Sequence, residues 1–443
     1  MPDITEKNQS QAFIENIVFF FYDIIFFAGL IVYLPVYFWR KKITFAALKE
    51  KLGFTDTKPA PPPGKKCIWI QAVSVGEVNL LDGLLKQLKE YGDYEIIISA
   101  TTLTGNRLAK KRYPGRAKII FFPFDISFAI RHVIKTFNLK IFIAVETEIW
   151  PNLFFRLSRK NIPIAIINAR ISDKAINRYK RFKFIVQYAL KECAIVAVQN
   201  EEYRQRFIDL GCPESKIKIT GNMKFDNINL DNNTLTKVKV KYSGIIAPPG
   251  NIVLIAASTH CPEEEYALRA YKEIRKKRSD IKLIIAPRHI ERTPEIEKLI
   301  IAEGLKPLRL SAAKKNEVNN DTVFLLDTIG ELLYFYALSD ICFVGGSLVK
   351  HGGQNILEPI SLGKPTIFGP FMDNFSDIAE IVHAEKAGIQ VRDTEELTSK
   401  LILLINDKDE REKLQKNCAK VFREQTGATE NNVKLIISCL NLD

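Results

Sequence analysis

Short, largely apolar runs of strand-type residues, each followed by an amphipathic segment of helix length, recur through most of the chain. In the first half they fall at 68–73, 95–100, 118–122, 141–145, 164–168, 194–198 and 216–220. A run that is apolar on both faces suits a parallel strand covered by helices on either side. This half therefore reads as a doubly wound α/β domain. The alternation restarts at 251–256, 281–286, 323–325, 341–344 and 365–368, and the chain's 443 residues exceed what one ordinary core organises. Two α/β domains are expected, at 67–226 and 250–443, joined by a linker at 227–249 whose first part, 227–243, shows no periodic pattern. The helical segments at 395–423 and 429–440 carry no site signal, and one of them is expected to pack back on the first domain.

With 47% hydrophobic and 26% charged residues the chain is globular rather than disordered. Lys and Arg number 64 against 51 acids, a formal charge of +13, which suits an anionic partner. No zinc-finger spacing and no aromatic-basic pattern of an RNA-reading sheet accompanies the charge, so membrane and phosphate are expected, not nucleic acid. The seven cysteines are scattered without Cys-x-x-Cys spacing, and the five histidines never stand at ligand spacing. Reduced thiols and no metal are the expectation.

Residues 17–39 form a 23-residue stretch whose only charge is Asp23. A helix crossing the hydrocarbon core needs ~20 residues. Arg40, Lys41, Lys42, Lys49 and Lys51 follow it, which places later residues on the cytoplasmic side. With no small-residue cleavage site, residues 1–57 read as a membrane anchor with a basic flank rather than a removed signal peptide. Asp23 is the difficulty, since an acid in mid-bilayer costs roughly 2.5–3.5 kcal/mol on insertion scales. A helix lying at the membrane surface is the alternative. A Pro-rich linker at 58–66, containing Pro61-Pro62-Pro63-Gly64, follows.

In doubly wound sheets ligands bind beyond the carboxyl ends of the strands. After the first strand comes Ser74-Val75-Gly76-Glu77, and after the fourth Glu146-Thr147-Glu148-Ile149-Trp150-Pro151-Asn152. Acids thus reach one rim from two strands, where a carboxylate can take a proton from a substrate hydroxyl. Glu77 also suits a plain helix N-terminus. Arg170, Arg178, Lys180, Arg181 and Lys183 give a basic face that is either solvated or bound to acidic headgroups or substrate phosphates. Lys224, in Gly221-Asn222-Met223-Lys224-Phe225-Asp226, stands near the domain boundary, where a cation can steady developing negative charge; an ordinary surface lysine is the other reading.

In the second half, Pro287-Arg288-His289 follows one strand, and the planar fork of Arg288 suits a phosphate, although a structural salt bridge would also explain it. Asp327-Thr328-Ile329-Gly330-Glu331 follows another. Gly345-Gly346-Ser347 breaks the run at 341–344, and Gly352 and Gly353 precede a segment opening at Asn355 with apolar spacing of a helix. Backbone N–H groups at such a start invite a phosphate, and Glu358 is placed to accept from a ribose diol. A glycine turn with a capping acid is the plainer alternative.

These motifs, in this order across nearly the whole chain, resemble the series of 3-deoxy-D-manno-oct-2-ulosonic acid (Kdo) transferases, two-domain metal-independent glycosyltransferases. The resemblance implies two Rossmann-like domains facing a cleft and an N-terminal hydrophobic membrane-anchor helix. It implies inverting transfer of Kdo from CMP-Kdo to a lipid A precursor (lipid IVA) at the cytoplasmic face of the inner membrane, with no cofactor. By position Glu77 is the general base, and Glu146 and Lys224 steady the transition state. Pro287, Arg288, Ile329, Gly330, Glu331, Ser347, Gly353, Asn355, Ile356, Leu357 and Glu358 match the segments that hold CMP. The sequence departs from the usual pattern at Gln354, where His is common, and at Ile356, where Pro is common. A related membrane-associated transferase using a UDP-sugar, and a tethered nucleotide-binding protein without catalysis, are the competing readings.

Overall fold

The computed structural model describes residues 17–32, 44–54, 65–228, 231–246 and 248–440. The chain divides into two compact units. One holds the chain up to Asn227 and takes it back from Thr426, and the other spans Ile228–Gln425.

The first unit contains a seven-stranded sheet, all parallel: β1 (Cys67–Gln71), β2 (Glu95–Ala100), β3 (Lys118–Phe121), β4 (Leu139–Val145), β5 (Ile164–Ala169), β6 (Ile195–Val198) and β7 (Ile217–Ile219). They lie in the order β3-β2-β1-β4-β5-β6-β7. Successive side chains of a strand point to opposite faces, and here both faces are buried. Trp69, Phe142 and Ala144 enter one apolar cluster, while Ile68, Ile70, Ile141 and Ile143 enter the other. That second cluster is completed by Val433, Ile436 and Leu440 of the last helix, Ala428–Leu440, which packs against this sheet. Asp226 ties that helix down by accepting from the backbone N–H groups of Gly427 and Thr429 (2.7 and 2.6 Å).

The second unit repeats the design: β8 (Ile252–Thr259), β9 (Ile281–Pro287), β10 (Lys306–Arg309), β11 (Thr322–Leu325), β12 (Ile341–Val344), β13 (Thr366–Phe368) and β14 (Ile389–Gln390), in the order β10-β11-β9-β8-β12-β13-β14. β10 and β14 escape sequence reading because an edge strand needs no apolar run: β10 is Lys-Pro-Leu-Arg, and β14 has two residues. In each sheet the strand order reverses once, between β1 and β4 and between β8 and β12. At such a point the loops diverge to opposite faces and leave a crevice.

Two expectations are revised. The segment at 227–249 is not a patternless linker, since a 15-residue helix occupies Asn232–Ile246. Its buried residues, Val238, Tyr242 and Ile246, recur every four positions among Lys, Asn and Thr, a stripe too narrow to stand out. Tyr242 packs on Phe335 (ring centroids 5.2 Å) and donates to the Leu310 carbonyl.

The other concerns the expected span at 17–39. Residues 17–32 are helical, and 33–39 lie outside the described residues, as does most of the Pro-rich linker. Among the described residues no helix is long and apolar enough to cross a membrane. Helix 17–32 packs within the first unit. Phe19 stacks on Phe155 at 4.2 Å, Tyr22 donates to Asp125 at 2.8 Å, and Asp23 accepts from the Ser127 N–H and the Asn152 side-chain amide at 2.9 and 2.7 Å. The acid that looked costly in a bilayer is hydrogen-bonded to protein. Along the same helix Phe20, Phe21, Ile24, Ile25, Phe27, Ile31 and Val32 stay exposed.

Candidate active site

The first unit's crevice is built from the loops after β1 and β4. Ser74 caps the helix Val75–Tyr91, and Glu77 is its third residue. Ser74 Oγ accepts weakly from the Glu77 N–H (3.4 Å), while the Glu77 carboxylate accepts from the Val73 N–H at 2.6 Å and from the Ser74 hydroxyl at 2.9 Å. This is a variant of the capping box in which the acid reaches the N–H one residue before the cap, so the structural explanation of Glu77 holds. It does not exhaust the residue. Burial, reinforced by the negative charge of Glu146, raises its pKa to about 8. A base of that strength is near-neutral and well matched to a hydroxyl proton.

Glu146 occupies a left-handed backbone conformation (φ 62°), uncommon for a residue with a Cβ and costing about 1–3 kcal/mol. Its carboxylate meets Arg170 Nε at 3.0 Å. The strain turns the chain sharply at the end of β4, so Glu146 and Glu148 both reach the crevice. Glu148 accepts from the Trp150 indole N–H at 2.9 Å, and burial lifts its pKa to about 7. Glu77 senses both acids. The sequence assigns Glu148 no role and reads Arg170 as part of a basic face; the pairing of Arg170 with Glu146, from separate strand ends, is tertiary. Lys224 lies in the short 3-10 turn Met223–Asn227, half-buried between fully buried Met223 and Phe225. The Met223 N–H is held by Asn168 Oδ1 at 2.9 Å.

In the second unit the loop after β12 is held from within. The N–H groups of Gly346, Ser347 and Leu348 all find a protein partner. They donate to the carboxylate of buried Glu263 at 2.6, 3.1 and 2.9 Å, and the His260 N–H joins them at 2.9 Å. Gly345 is required there, because a Cβ would lie 2.7 Å from Thr259 Cα. Ser347 is fully buried, its hydroxyl donating to the Val344 carbonyl and accepting from the Gly369 N–H, so it braces the loop rather than facing a ligand.

The helix expected from Asn355 covers only Leu357–Ser361. Asn355 Oδ1 accepts from the Leu357 N–H (3.1 Å), and its amide donates to Glu358 at 3.1 Å. Ile356 and Leu357 are buried, so their side chains serve the core, and Gly353 is packed against Met372 where a Cβ would clash. Glu358 is mostly enclosed, and burial raises its pKa while Arg288 pulls it down. Arg288 is thus near Glu358, exposed, and fixed by its N–H to the Thr259 carbonyl at 3.0 Å, after buried Pro287. Asn355, Glu358 and Arg288 therefore gather at one edge. Ile329 and Gly330 precede the helix Leu332–Leu338; Ile329 is 82% exposed, Gly330 has φ 88°, and Glu331 accepts from the Thr328 hydroxyl.

With both crevices described, comparison with known proteins becomes specific. Residues 46–227 match the family "3-Deoxy-D-manno-octulosonic-acid transferase (kdotransferase)", and 263–421 match "Glycosyl transferases group 1". A 3-deoxy-D-manno-octulosonic acid transferase of Haemophilus influenzae is 34% identical over 393 residues, 88% of this chain and 90% of that one. This chain belongs to the Kdo transferase family. The transferase is also 35% identical over 397 residues to a bifunctional glycosyltransferase/methyltransferase of Fusobacterium nucleatum; the match covers 89% of the chain and 60% of that longer protein. A solved glycosyltransferase of Rickettsia africae superposes with TM-score 0.54 at 16% identity, covering 86% of this chain and all of that one. That likeness concerns the fold alone, two Rossmann-like domains of the kind glycosyltransferases use. The expected class, a glycosyltransferase enzyme, is the class of its family.

Proposed function

We propose that the protein transfers Kdo from CMP-Kdo to the hydroxyl of a lipid A precursor, with inversion at the anomeric carbon. The observation that carries the mechanism is Glu77: a buried carboxyl at a strand-order reversal, its pKa raised to about 8 by burial. It takes the proton from the acceptor hydroxyl as that oxygen attacks the anomeric carbon. The bond to the phosphate oxygen breaks on the opposite face, and CMP departs. Glu146, oriented by Arg170, and Lys224 steady charge during transfer. In the second unit Glu358 accepts from the ribose hydroxyls, with Asn355 fixing its rotamer, and Arg288 meets the leaving phosphate. Cationic side chains suffice for that charge in this reading, so activity is expected to survive removal of divalent ions by chelation.

The acceptor is a lipid, and helix 17–32 supports a place at the cytoplasmic face of the inner membrane. Its inner side is tied to the protein through Phe19, Tyr22 and Asp23, and its outer side is apolar and exposed. Such a helix lies in the interface rather than across the bilayer.

Mass spectrometry of the product formed from CMP-Kdo and a tetra-acyl disaccharide tests the reaction directly; no mass increase corresponding to Kdo would reject it. Thermal protection by CMP and not by UDP separates this donor from a UDP-sugar.

A further inference from the structure

Three of the chain's five histidines, unremarkable in sequence, meet at the second unit's strand-order reversal. His260 follows β8, His289 follows β9 and His351 lies in the loop after β12. The rings of His260 and His351 stack, with centroids 4.3 Å apart and planes 20° from parallel, and His289 meets His260 edge-on at 5.8 Å. His351 and His289 are exposed. His260 Nδ1 is buried with no hydrogen-bond partner among the described residues.

A metal site does not explain the cluster. Imidazole lone pairs lie in the ring plane, so stacked rings cannot aim theirs at one ion, and among the described residues no group of three His, Cys, Asp or Glu can hold one. A packing role does not explain it either, because two of the rings are exposed.

An anion does. The glycine loop's N–H groups are engaged by Glu263, and the Leu357 N–H, at the helix start expected to face a phosphate, is engaged by Asn355. Arg288 and the imidazoles stand at that same edge. His260 lies against Gly346, where Gln354 also packs, and Arg288 adjoins His289 and influences Glu358.

We propose that His260, His289 and His351 form an oxyanion-binding wall for the donor, protonated as it binds and contacting either its phosphate or the carboxylate of its acidic sugar. The inference rests on the donor reading above. An oxyanion offsets the mutual repulsion of neighbouring imidazolium rings and favours proton uptake. In the free protein burial, and then the charges of His351 and His289, hold the pKa of His260 below its usual value, while Glu264 acts in the other direction. Glu263 meets the His260 backbone, Glu291 lies 3.4 Å from His289 Nδ1, and Lys350 adjoins His351 over the Phe371 ring. Protons are therefore taken up with the anion, and affinity falls as pH rises through the imidazole range.

Titration calorimetry of the full chain with cytidine, CMP and CMP-Kdo, at about pH 6 and about pH 8, tests this. Wild type and the His351→Gln and His260→Gln variants are compared, with melting temperatures as a folding control. The ligands' own titration is common to all the proteins, so differences between them report the imidazoles. Loss of a charge-assisted hydrogen bond predicts affinity reduced about 10-fold at the lower pH, with cytidine binding unchanged. A loss already present with CMP assigns the wall to the phosphate, and a loss confined to CMP-Kdo assigns it to the carboxylate. Folded variants that bind CMP and CMP-Kdo as wild type does at both pH values would overturn the histidine wall while the donor reading stands. Wild type binding none of the cytidine compounds would overturn the donor reading, and the wall with it.

Discussion

Glu77 shows how one side chain serves a helix and a reaction together. Glutamine is also a competent third residue of a capping box, so Glu77→Gln is expected to fold normally while transfer falls by at least ~100-fold, as loss of a general base requires. Single-turnover measurement beside a melting curve checks both halves, and near-normal turnover would reject the assignment. The raised pKa has two consequences. A base works only when ionised, so kcat/KM is expected to climb with pH and level off above about 8. Stability runs the other way. The folded protein binds this proton more tightly than the unfolded chain, so the contribution is full below the usual carboxyl value of 4.5 and is lost as pH rises toward about 8. Removing the ionisable group should therefore narrow the fall in melting temperature of Glu77→Gln, relative to wild type, between those limits.

At the scale of elements, loops are held by carboxylates that sequence inspection assigns to nothing. Glu263 gathers four backbone N–H groups from the loops after β8 and β12. Glu263→Gln puts an amide N–H against those donors, and leaving one buried donor unsatisfied costs about 1–3 kcal/mol. A lower melting temperature with weaker CMP binding is expected; unchanged binding would show that the loop's conformation does not matter to the donor site. Asp23 plays the same part for helix 17–32. Asp23→Ala strands the Ser127 N–H and removes one of the acceptors of the Asn152 amide, for a loss of about 1–3 kcal/mol, readable by chemical denaturation. Stability equal to wild type would mean that this helix is not held by its polar contacts. The helix Asn232–Ile246 illustrates the limit of periodicity: its three buried residues form a stripe only once Phe335 and Leu310 define the surface it covers.

For the whole molecule, a formal charge of +13 and an exposed apolar helix act together on a membrane. Binding to anionic vesicles is expected to exceed binding to neutral ones and to weaken with salt, since screening shortens the reach of charge to about 8 Å at physiological ionic strength. Replacing Phe20, Ile24 and Phe27 with serine should remove the salt-resistant remainder. Equal sedimentation of that variant with vesicles at high salt would reject helix 17–32 as the contact.

The sequence by itself determined the two parallel sheets, because strands buried on both faces must be apolar throughout and such runs are visible in one dimension. It also determined the family, through motifs at successive strand ends. Which groups touch was decided by tertiary structure alone. Glu263 and the glycine loop are more than eighty residues apart, His260 and His351 about ninety, and Asp23 and Asn152 well over a hundred. Hydrogen bonds and charge act over a few ångströms of space, and only the folded chain sets those distances.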